Sequence, residues 1–207
     1  LARLALSQRA DDGAEARERS VNSDNYSPEL STVRGLPLVD EPGIGALTIP
    51  GYLREVTTRF AGREAVVSYA ADGVVRWSYA TLWNESVAVA KALVAAGVDR
   101  DTRVGILMTN RAEFLSTLYG VSLAGGVAVV FSTFSTSHEL EQLLQLSDVS
   151  LLLFESRVLK TNFGAVLAEL EPDVLTSPPG GLQTQKFPYL RALVRLESAT
   201  VNMEETP

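Results

Sequence analysis

His138 is the only imidazole in the chain, and a side chain that titrates near neutrality can move a proton. It falls in the first turn of a helix pattern, where the positive end of the helix dipole disfavours the imidazolium. No motif supplies it with a partner, so a surface position is expected. Ser122, in Gly120-Val-Ser122-Leu-Ala124, approximates a nucleophile elbow. An elbow needs its serine on a sharp turn directly after a strand, whereas Ser122 falls late in a helical run with no acid between it and His138. Gly43-Ile-Gly45 begins like a dinucleotide fingerprint but lacks the third glycine and the preceding strand. Thr176-Ser-Pro-Pro-Gly-Gly181, with Lys186 beyond, has the composition of a phosphate loop. Its two prolines remove amides that such a loop would point at phosphate. Glu169, Glu171, Glu204 and Glu205 read as solvated charge. No catalytic, cofactor-binding or metal-binding residue is assigned from these patterns.

What survives is positional. In open parallel sheets, ligands bind outside the carboxyl ends of the strands, against helix N-termini. Thr109, Asn110 and Arg111 would hold that place after one strand, and residues 132–137 after the next. Helix capping already offers a use for Asn110 and Thr136.

The elements that would position them can be read from periodicity and caps. Thr48-Ile-Pro precedes Leu53, Val56 and Phe60, spaced as on one face of a short helix. Residues 65–69 and 74–77 flank Ala71-Asp72-Gly73, a hairpin signal because Asp and Gly tolerate the positive φ of such turns. Ser78 is expected to cap a helix over 79–96 that stops at Gly97. Residues 103–108 have the length of a buried strand. Asn110 with Glu113 forms a capping-box pattern for a nearly all-apolar helix to about Ala124. Gly125-Gly126 ends it, 127–131 is the next strand, and Thr136 with Glu139 repeats the capping box ahead of Leu140, Leu143 and Leu144. Residues 150–154 form a third strand. Leu159, Phe163, Val166, Leu167 and Leu170 suggest another helix with Gly164 as its weak point. A Pro- and Gly-rich loop over 172–188 leads to a late strand at 192–196.

Strand–helix–strand–helix–strand with short connections implies parallel strands, and hence an α/β fold: a layered parallel sheet with flanking helices. Residues 1–47 are polar and poor in aromatics, and are expected to be disordered. The ordered domain is expected over 48–196, with a tail at 197–207. A parallel sheet is normally covered on both faces. Three or four strands that stop after a strand-like segment resemble a domain cut partway along its sheet.

Composition narrows the function. The chain has 207 residues, a formal charge of −7 and no cysteine. Disulfides, thiolate metal sites and thiol catalysis are therefore excluded. The acidic balance argues against nucleic acid as a partner, since phosphate contacts need clustered Lys and Arg. Residues 114–137 carry no charge and could match the roughly 20 residues of a membrane span. Gly125-Gly126 and the many hydroxyl residues instead indicate a buried helix followed by a buried strand, so no transmembrane segment is expected.

The order of short sequence words carries a resemblance. Thr48-Ile-Pro, Arg59-Phe60, Arg63-Glu64-Ala-Val-Val67 and Trp77-Ser-Tyr79-Ala-Thr-Leu82 come first. Ala96-Gly-Val98, Asp101-Thr-Arg-Val-Gly-Ile-Leu107 and Asn110-Arg-Ala-Glu-Phe114 follow. Gly125-Gly-Val-Ala-Val-Val130, Glu139-Leu140 and Ser147-Asp148 complete the series. In order and spacing this resembles the N-terminal part of adenylate-forming acyl-CoA synthetases, the AMP-binding superfamily, over about 48–196. Phe131-Ser-Thr-Phe134-Ser-Thr136, where many members carry Pro and Asn, is similar to fatty-acid–CoA ligases.

The resemblance implies a truncated part of the family's large N-terminal domain. It also implies a two-step ligase, in which a carboxylic acid and ATP give an acyl-adenylate and CoA then displaces AMP. ATP, Mg2+ and CoA are the cofactors implied for the parent enzyme, with none expected to bind tightly to this fragment. The family's phosphate-gripping Thr-Ser-Gly-rich loop, its adenine-binding segment, its ribose-binding Asp and its catalytic Lys have no counterpart here and would lie beyond Pro207. The piece alone is therefore expected to be inactive, to self-associate through an unfinished sheet, and to be cytoplasmic or membrane-peripheral. The alternative is a stand-alone α/β binding or interaction module without catalysis.

Overall fold

The computed structural model describes residues 48–70, 73–178 and 180–196. The expectations of disorder over 1–47 and of a tail over 197–207 lie outside the described residues, as does Gly43-Ile-Gly45.

The described chain opens with helix α1 (Ile49–Phe60), whose first turn is closed by the Thr48 hydroxyl accepting from the Gly51 amide at 3.1 Å. Strands β1 (Glu64–Ala70) and β2 (Gly73–Ser78) then pair antiparallel, with Ala70 opposite Gly73. The antiparallel pairing follows the hairpin signal, although Gly73 of that signal lies in β2 itself. Ser78 caps α2 (Tyr79–Ala95) by accepting from the Thr81 amide, and Gly97, at φ 88°, turns the chain out of it.

The second part is a four-stranded sheet. It comprises β3 (Arg103–Leu107), β4 (Val127–Val130), β5 (Leu151–Glu155) and, after the short hairpin formed by β6 (Arg157–Val158) and β7 (Thr161–Asn162), β8 (Ala192–Leu196). Their spatial order is β4-β3-β5-β8, and all three pairings are parallel. Helices α3 (Ala112–Leu123), α4 (Ser137–Ser147) and α5 (Phe163–Leu170) make the crossovers. The layered α/β reading is correct.

Strand alternation sends successive side chains to opposite faces and so builds two cores. Val104, Ile106, Leu151 and Leu153 point to the side covered by α2 and α3, where they meet Leu93 and Val121. Leu107, Leu152 and Phe154 point to the other side, against Leu140 and Leu144 of α4 and Phe163 and Leu167 of α5. Both faces are covered, which accounts for β5 being buried along its whole length. Residues 114–137 divide between α3, β4 and the following loop, and no described helix is long and apolar enough to cross a membrane.

Two local expectations are corrected. The helix expected from Leu159 starts only at Phe163. Leu159 sits at φ 52° in the β6–β7 turn, and Asn162 caps α5 by accepting from the Ala165 amide at 3.1 Å. A good capping residue inside an apolar run moved the start. The second correction concerns Asn110 and falls within the site.

Candidate functional site

The strand order reverses around β3. The chain leaves β3 through α3 to reach β4 on one side, then returns through α4 to β5 on the other. Because α3 covers one face and α5 the other, the chains leaving β3 and β5 part in opposite directions. A crevice forms at such a switch point, at the carboxyl ends of the strands.

A pocket of about 590 Å3 lies there. The loop after β3 contributes Met108, Thr109 and Asn110, and the segment after β4 contributes Phe131 to Phe134. The end of β5 and the β6–β7 hairpin contribute Glu155 and Arg157. Parts of the two loops singled out by position in the sequence, Thr109 and Asn110 in one and Ser132 to Phe134 in the other, line this one pocket. Its aromatic and aliphatic lining suits the hydrocarbon part of a ligand, with polar groups at one end. Phe134, 85% exposed, stands between this pocket and a smaller groove floored by Leu143 and Leu146.

The polar end is a charged network. Glu155, buried at 8% exposure, accepts on Oε2 from the Thr109 amide at 3.0 Å and from the Thr109 hydroxyl at 2.8 Å. Arg111 Nη1 lies 3.4 Å from Glu155 Oε1. The same guanidinium forks onto Glu113, with Nε to Oε2 at 2.9 Å and Nη2 to Oε1 at 3.0 Å. That bidentate bond raises the Arg111 pKa against the opposing effect of partial burial. It also holds the Glu113 carboxyl below its ordinary value.

These contacts explain why the capping box read at Asn110 and Glu113 does not form. The residue at the N-cap is Arg111, in extended conformation and with no side-chain cap bond. Glu155 takes the Thr109 amide and hydroxyl, the helix starts one residue later than read, and Glu113 is taken by a charge-assisted fork stronger than a cap. Asn110 is left exposed at the pocket mouth. The second capping box forms as read, with Thr136 and Glu139 bonded reciprocally. The Glu139 carboxylate accepts from both the amide and the hydroxyl of Thr136, which holds it below its ordinary pKa.

The remaining candidates are dispersed. His138 is exposed in the first turn of α4, beside Gln142. Ser122 donates back to the Leu118 carbonyl within α3, far from an elbow geometry. Lys186 is paired with Glu141 at 2.7 Å and donates to the Leu170 carbonyl, so it does not serve a phosphate loop. Among the described residues no group of three or more His, Asp or Glu could hold a metal ion. Glu155 and Arg157 were missed from sequence, although a charged residue closing an all-apolar strand run was a usable signal for Glu155.

Comparison with known proteins bears on this architecture. The profile of a family described as AMP-binding enzyme matches residues 53–187, from α1 to the loop before β8. The chain belongs to the AMP-binding enzyme family. The putative acyl-CoA synthetase YngI of Bacillus subtilis is 28% identical over 147 residues, covering 71% of this chain and 26% of its own. The human mitochondrial medium-chain acyl-CoA ligase ACSF2 is 25% identical over 201 residues, covering 95% of this chain and 32% of its own. Among solved structures, a Mycobacterium tuberculosis fatty acyl CoA synthetase superposes with a TM-score of 0.57 at 23% identity. It covers 72% of this chain and 26% of its own, and agrees with the fold. The chain thus spans about a quarter to a third of the length of these relatives.

Proposed function

We propose that this chain is the opening part of the large domain of a carboxylic acid–CoA ligase, with residues 48–196 forming a partial AMP-binding domain. The parent enzyme would activate a carboxylic acid, in our reading a fatty acid, to an acyl-adenylate with ATP and Mg2+, then transfer it to CoA. Taken alone, the chain supplies scaffold and is inactive. The observation that carries this reading is the family match over residues 53–187, with an alignment that covers only 26% of YngI.

Site chemistry supports it. Adenylation needs cations and oriented dipoles against the charge that develops at phosphorus. Beside this pocket the Arg111 cation is already held by Glu113 and Glu155, and Arg157, which lines it, is itself engaged. Among the described residues the outer strand β4 also pairs on one side only, and its Val127 and Val130 are 45% and 54% exposed. An exposed apolar edge of this kind favours self-association of the isolated chain.

The test is ATP-dependent pyrophosphate release by the purified 207-residue chain with medium- and long-chain fatty acids, beside calorimetric titration with Mg-ATP. No release and no tight nucleotide binding are expected. Acid-dependent turnover, or tightly held ATP, overturns the proposal.

A further inference from the structure

The β3–β5 ladder ends where Leu107 faces Phe154, while β5 continues beside β8 through Glu155 opposite Leu196. One residue past the ladder, the two chains begin to part at the switch point. The Thr109 amide therefore has no strand carbonyl to meet, and a buried amide left unpaired is costly. The Glu155 carboxylate takes that amide, takes the hydroxyl of the same residue, and reaches Arg111 with its other oxygen. A single side chain from β5 thus spans the crevice and grips the second and fourth residues of the β3–α3 loop, Thr109 and Arg111.

We propose that Glu155 is a positioning residue that sets the shape of the switch-point crevice, holding Thr109 and Arg111 so that Asn110 is presented at the pocket mouth. A carboxylate accepting two bonds from one residue fixes that residue's distance and its orientation together. Arg111, tied to Glu155 and to Glu113 of α3, carries the same constraint into the first turn of the helix. The assignment concerns the form of the site and does not depend on the reaction proposed above.

Amide hydrogen exchange by NMR on the full 207-residue chain tests it. Glu155→Met keeps the bulk of the side chain and removes the acceptors. It should accelerate exchange of the Thr109 amide by about tenfold to a hundredfold, the range for a lost hydrogen bond to a charged group. The Ile106 and Leu152 amides in the sheet centre should keep their rates, because only the loop is released. Glu155→Gln restores an acceptor and should recover most of the Thr109 protection, with the Asn110 backbone signals returning toward their wild-type positions. A role confined to overall stability would instead speed the loop and the sheet centre in parallel, which overturns the proposal, as does an unchanged Thr109 rate. Should Glu155→Met fail to fold, Thr109→Val removes only the hydroxyl bond. Faster exchange of the amide at position 109 alone then supports the assignment, and no change refutes it.

Discussion

Replacing Gly120 with alanine pits two effects of opposite sign against each other. Gly120 lies in the interior of α3, where alanine is favoured over glycine by about 1 kcal/mol. A Cβ at this position would stand 2.6 Å from Val89 Cγ1, 2.8 Å from Val89 Cβ and 3.1 Å from the Ser86 carbonyl oxygen of α2. Valine is stiff at χ1, and neither its Cβ nor a backbone oxygen can swing aside, so the two helices must separate. Overpacking of this kind costs about 1–3 kcal/mol, and these contacts belong at the upper end of that range. The expected net loss is about 1–2 kcal/mol, which for a domain of this size lowers the melting temperature by about 2–8 °C. Gly62→Ala is the control. Nothing lies within 4 Å of its Cβ position and its backbone is not left-handed, so a gain of about 0.4–1 kcal/mol is expected from the less flexible unfolded chain. Denaturant titration and thermal melts followed by circular dichroism measure both. A Gly120→Ala chain as stable as wild type would refute the argument that backbone approach, not helix propensity, decides this position.

Glu139 gives a dependence on pH. Its folded pKa is depressed by the two bonds from Thr136, so it contributes stability above the pKa of the unfolded chain and loses it as pH falls through the folded value. The advantage of wild type over Glu139→Gln in thermal melts should therefore be present at neutral pH and fade on acidification below the carboxylate range. An advantage independent of pH would remove the charge from the account. Val127→Lys on the open edge of β4 should weaken self-association of the chain in sedimentation velocity, because a lysine on an edge strand blocks strand addition. Unchanged association would locate the contact elsewhere.

Much of the fold was legible because its signals are local or periodic. Ser78 and Thr136 carry their caps within three residues, and both helices start where those residues predict. The apolar runs at 103–108 and 150–154 are too short for helices and became central strands. The Asp-Gly signal marks where β1 and β2 pair antiparallel, with Ala70 opposite Gly73. The parallel order followed from connection lengths, and the placing of two loops at one crevice followed from the parallel order. The edge position of β4 was not legible, because the returning crossover through α4 has the same length whichever side of β3 it chooses.

The site itself resisted for a different reason. Asn110 and Glu113 satisfy the capping-box rule as well as Thr136 and Glu139 do, yet only the second pair forms a box. The difference lies 46 residues away, in a carboxylate at the end of β5 that claims the Thr109 amide first. Arg111 then decides the matter, since a guanidinium fork onto Glu113 outweighs one neutral-donor cap bond. A local rule predicts the outcome wherever the competing partners are also local. At a switch point they are not, because two strands distant in sequence end side by side and their loops must share donors and acceptors. A charged residue closing an otherwise apolar strand marks such sharing, since burial there is tolerable only if a partner waits on the neighbouring loop. On that argument Glu155, lying in none of the sequence words that marked the family resemblance, could have been singled out together with the loop it grips.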